Sequence, residues 1–83
     1  MELKVSMQDF EKELLSAEDI RLFYKKHVNR LVKDGMPEAD AQSNTLDNIA
    51  YVSRDKSHEF HKKLIFYIPE IAPFLRLNED YKN

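Results

Sequence analysis

The sequence predicts an all-α protein, a compact bundle of four to five short helices, and three observations carry that prediction. One Gly and three Pro in 83 residues are too few turn residues for a many-stranded sandwich or barrel. Ile20, Phe23, Tyr24, His27, Val28 and Leu31 recur at the i, i+3, i+4, i+7 spacing of a single helix face. Cap and stop residues then cut the chain into short segments.

The chain begins with an alternation of apolar and polar residues, Met1 to Ser6, readable as an edge strand or a loose lead-in. Ser6 with Asp9 opens a first helix over Met7–Leu15, where Phe10 and Leu14 are an i, i+4 pair. Ser16 with Asp19 repeats that signature ahead of a second helix, Ala17–Lys33. Its acids lie at the start and its cations at the end, as the helix dipole favours. Gly35 is the natural residue just past its end.

Pro37 suits the first position of a third helix, Glu38–Arg54, with a thin apolar face of Ala39, Leu46, Ile49, Ala50 and Ser53. The short connection makes the second and third helices an antiparallel hairpin. Ser57 caps a fourth helix carrying Phe60, Leu64, Tyr67 and Ile68. Pro69 stops or kinks it and starts a fifth, Glu70–Leu77. Residues 57–77 hold the densest apolar run, so the core is expected to form against them. The alternative fold is α+β, with a strand at 64–68 pairing with 2–6, because LIFYI is rich in β-formers.

Composition bounds function. Hydrophobic residues at 42% and charged residues at 34% describe a single globular domain, 1–83, with loose ends at 1–5 and 78–83. A core this small supplies only ~3–5 kcal/mol. Without Cys there is neither a disulfide nor a thiolate metal site, so packing or a partner must stabilise the chain. A homodimer is the simplest such partner. The net charge of −2 argues against a general polyanion binder. No stretch reads as a signal peptide or a membrane span, and a cytoplasmic location is expected.

No catalytic constellation is visible, so the chain is read as a non-enzyme with no cofactor, no metal and no small-molecule substrate. One Gly rules out a phosphate-cradling loop, and Glu11/Glu13 and Glu79/Asp80 lie on charged stretches that give their pKa no reason to rise. His58-Glu59-Phe60-His61 has histidines at i, i+3 rather than the i, i+4 of helical zinc motifs. His27 reads as a core-edge histidine. Arg21, Lys25, Lys26, Arg30 and Lys33 support an alternative function, a nucleic-acid-binding regulator. However, the next helix opens Pro37-Glu38-Ala39-Asp40, and two acids there repel phosphates.

Ser43-Asn44-Thr45-Leu46-Asp47, following a helix and a Gly turn, resembles the helical hairpin of the small aspartyl-phosphate phosphatases that act on sporulation response regulators. The resemblance spans residues 20–52 and implies a second alternative, phosphatase activity with Asp47 as the family's motif aspartate. That motif has Gln where this chain has Asn44, and the Gly-to-Ser spacing here is about two residues shorter.

What remains is surface recognition. Phe66, Tyr67, Phe74 and Leu75 exceed what one face of a short helix can bury. They are expected to dock on a protein partner or a second copy, with Arg21, Lys25, Arg30 and Glu70 as a charged rim. The function expected is that of a small regulatory or adaptor protein, such as an inhibitor, an immunity protein or a phage- or plasmid-type modulator.

Overall fold

The computed structural model describes residues 7–75. Four α-helices follow one another, α1 (Met7–Ser16), α2 (Ile20–Lys33), α3 (Glu38–Ser53) and α4 (His58–Tyr67). A single 3₁₀ turn, Pro69–Ile71, comes next, and residues 72–75 are again helical. There is no strand among the described residues, and 64–67 lie inside α4, so the α+β alternative is overturned. The expected lead-in at 1–6, the loose tail at 78–83 and the last two residues of the expected fifth helix lie outside the described residues.

α1 buries Phe10 and Leu14, the pair its sequence spacing singles out. Ser16 ends this helix rather than capping the next, donating its hydroxyl back to the Lys12 carbonyl at 2.9 Å. The cap of α2 is Asp19, whose carboxylate accepts from the Leu22 N–H at 3.1 Å. α2 therefore starts at Ile20, three residues later than the sequence suggests. A carboxylate satisfies an orphan N–H and also complements the positive end of the helix dipole.

The end of α2 is a Schellman motif. The Met36 N–H donates to the Leu31 carbonyl and the Gly35 N–H to the Val32 carbonyl, both at 3.0 Å, while Gly35 takes φ 106°. Leu31 and Met36, both half-buried against the core, supply the hydrophobic contact that accompanies such a cap. A Cβ at Gly35 would meet nothing within 4 Å, so the cost of any side chain there is in the backbone. Gly35→Val is expected to destabilise the fold by about 1–2 kcal/mol, and Gly35→Asn by less, measured by urea unfolding. Equal stabilities would show that this turn does not require a positive φ.

Pro37 sits at the cap of α3, with ψ 145°, and not inside its first turn. α3 is the central helix. It packs along α2 and also meets α1 and the 3₁₀ turn, burying Ala41, Thr45, Leu46, Ile49, Ala50, Val52 and Ser53. The core is thus built around α3, and the described part of the apolar run, 57–75, forms one wall of it. Ala39 is exposed, and Ala41 and Thr45 take its expected place. Small side chains let neighbouring helices approach closely. The Thr45 and Ser53 hydroxyls donate to the carbonyls of Ala41 at 2.8 Å and Ile49 at 2.7 Å, which makes them burial-compatible.

Ser57 caps α4 as expected, accepting from the Phe60 N–H at 3.2 Å. α4 stops at Tyr67 because Pro69 forces Ile68 out of the helical region, to φ −132° and ψ 78°. That break turns the chain back across α3 and places Ile68, Ile71 and Leu75 in the core. An ion pair between Lys56 and Glu11 at 2.5 Å joins the α3–α4 loop to α1. Being half-exposed, it contributes little.

Candidate functional site

The buried side of α4 consists of His61 and Leu64, continued by Ile68. Its opposite side carries Glu59, Lys62, Lys63 and Phe66, all exposed. Phe66 is 77% exposed, with Tyr67 at 40% and Ile65 at 38% on either side. The Phe66 and Tyr67 rings meet edge to face at 5.0 Å, an arrangement that fixes their mutual orientation. Leaving a Phe in water forgoes roughly 1.5–3 kcal/mol of burial, so this aromatic end is a feature the fold itself does not explain.

Arg21 joins that end to a groove. Its Nη1 donates to the Tyr67 carbonyl at 3.4 Å and to Glu70 Oε1 at 3.1 Å, while its guanidinium lies 5.9 Å from the Tyr24 ring centre. The groove, about 360 Å³, runs between α2 and α3 with Glu70 at its rim. Tyr24, Val28 and Leu46, all buried, form its apolar floor. Lys25 and Asn29 line it from α2, Glu38 and Gln42 from α3. The Glu70 carboxyl is held below its ordinary pKa, first by its own backbone N–H and then by Arg21. Burial raises the Tyr24 hydroxyl, and the Glu70 carboxylate adds to the effect.

Phe66 and Tyr67 therefore stand together and exposed, with Arg21, Lys25 and Glu70 beside them. Arg30 is exposed in the last turn of α2 but does not line the groove. Phe74 and Leu75 are corrections to the expected surface. Leu75 is 2% exposed, and Phe74 packs half-buried against the core. The reason is the break at Pro69, which turns the following residues inward. Glu38, Gln42 and Ile65 were missed by sequence reasoning. For the first two, the only signal was the α2–α3 hairpin itself, which puts polar residues of α3 opposite those of α2.

The other candidates separate cleanly. His61 is buried, and its Nε2–H donates to the Ser53 carbonyl at 2.5 Å, tying α4 to α3, whereas His58 is exposed. Among the described residues no group of three His, Cys, Asp or Glu stands close enough to hold a metal. Ser43, Asn44 and Asp47 lie exposed on α3, with the Asn44 side chain accepting from Asn48 at 3.2 Å. Lys25, Lys26, Arg30 and Lys33 are exposed on α2. No helix of the described residues is long and apolar enough to cross a membrane.

His27 is half-buried between α1 and α2, edge-on to Phe10 at 4.9 Å and stacked near Phe23 at 6.1 Å. Burial lowers its pKa, and Arg30 lowers it further against an opposing effect of Glu13. The fold thus prefers the neutral ring, and below the unfolded value of 6.5 the unfolded chain binds more protons. Stability is full above that pH and falls as pH drops from it toward the lowered folded value. His27→Phe is expected to flatten this slope in melting curves taken across that window. An unchanged slope would assign the titration to another group.

Comparison with known proteins matches no family model, no curated protein and no solved structure. The phosphatase resemblance of residues 20–52 accordingly has no family match behind it.

Proposed function

We propose that this chain is a small non-enzymatic regulatory or adaptor protein that docks the aromatic end of α4 onto a protein surface. Inhibitors, immunity proteins and phage- or plasmid-type modulators are the functional types that fit its size. The observation that supports this reading is Phe66, at 77% the most exposed large hydrophobic residue among those described. Buried aromatic anchors with charged rims are the usual energetic centre of a protein interface. Here the anchor has its rim already in place, since Arg21 is hydrogen-bonded to both Tyr67 and Glu70.

The test compares parent and Phe66→Asp as baits in quantitative affinity capture from cell extract. A partner retained by the parent is expected to be lost with the variant, whose helical signal and melting temperature should be unchanged because residue 66 supports no core contact. Identical captured sets would overturn the reading.

A further inference from the structure

We propose that Phe66 and the α2–α3 groove are the two halves of one symmetric interface, in which each copy of the chain inserts Phe66 into the groove of a second copy. This rests on the reading of α4's aromatic end as a docking surface and names its occupant. Three observations carry it.

The first is a knob beside a hole. The Phe66 ring meets the Tyr67 ring, the Tyr67 main-chain carbonyl accepts from Arg21, and Arg21 lines the groove, so protrusion and cavity are neighbours. A two-fold axis passing between them brings each knob to the other copy's hole and closes the assembly. The same features on opposite faces would instead propagate into a filament. The second is fit. About 360 Å³ over a floor of Tyr24, Val28 and Leu46 has room for a phenyl ring and offers it apolar contact.

The third is charge. Arg21 and Glu70 are paired with each other, but no ion pair of Lys25 or Glu38 is found among the described residues. These two line the same groove with opposite signs. A patch of one sign would repel its own copy. A patch carrying both signs lets Lys25 of each copy meet Glu38 of the other, twice over, under the two-fold operation.

The experiment is light scattering over a hundredfold concentration range on the full chain and four variants. The parent is expected to dimerise, with a melting temperature that rises with concentration. Phe66→Asp, Lys25→Glu and Glu38→Lys should each weaken the dimer roughly tenfold or more. Mixing Lys25→Glu with Glu38→Lys should restore dimers, because acids at positions 25 and 38 of one copy then meet bases at 38 and 25 of the other, and the Lys25→Glu/Glu38→Lys double variant should dimerise alone. If Phe66→Asp dissociates the dimer while the charge variants do not, the insertion geometry is overturned and the docking surface stands. A chain monomeric throughout overturns self-association and leaves the aromatic end to a foreign protein. A dimer indifferent to Phe66→Asp overturns the insertion and places the self-interface elsewhere, while the docking reading is decided by the capture comparison.

Discussion

Ile49→Ala is expected to lower the unfolding free energy by about 2–5 kcal/mol, the largest effect of any substitution considered for this chain. Ile49 is fully buried in the C-terminal half of α3, the helix that meets α1, α2 and the 3₁₀ turn. Truncation there removes transfer free energy and leaves a cavity that three surrounding elements cannot all collapse into. A core of this size supplies only ~3–5 kcal/mol, so the variant should be largely unfolded at room temperature. Leu22→Ala on the exposed side of α2 is the control, expected within about 0.5 kcal/mol of the parent. A loss at Ile49 below about 1 kcal/mol in urea titrations would mean that α3 is not the centre of the core.

His61→Ala is expected to cost about 2–3 kcal/mol, from a lost buried hydrogen bond and a ring-sized gap. The Ser53 carbonyl it serves also accepts from the Lys56 N–H at 3.0 Å, so the acceptor is not orphaned. That second bond keeps the penalty at the lower end for a buried polar contact. The loss should appear as weaker docking of α4 on α3, read as earlier hydrogen exchange of α4 amides than of α2 amides. His58→Ala, on the exposed side, should change nothing measurable. Matching losses at the two histidines would instead indicate that they act as a pair.

The proposed docking at α4 is separable from the stability of the bundle because α4 is two-sided. His61 and Leu64 hold it to the bundle, while Phe66 projects away. The exposed position can therefore be changed to Asp for functional tests without disturbing the side that carries the stability. Phe74, which reads from sequence as part of the same patch, lacks that freedom. It packs on the core, and its replacement by a charge would confound binding with unfolding.

The sequence by itself determined the helical class, the four helices to within a few residues, the Gly35 turn, the Ser57 cap and the stop before Pro69. Each of these is a local matter, since a cap, a positive φ or a missing N–H acts within three or four residues and needs no distant partner. Ser16 reads from the sequence as the cap of α2, where Asp19 is the cap; both are good cap residues, and the difference lay in which backbone groups each could reach. Only the tertiary structure decided that α3 is central, although its apolar face is thin. Small residues at 41, 45, 50 and 53 bury little area alone but admit three neighbours closely. Likewise, the direction of the chain after Pro69 decided that Leu75 is core, and the side on which α4 docks decided that Phe66 is surface. Both are large apolar residues on helical segments, and hydrophobicity is non-directional, so which of them finds cover depends on where distant elements lie.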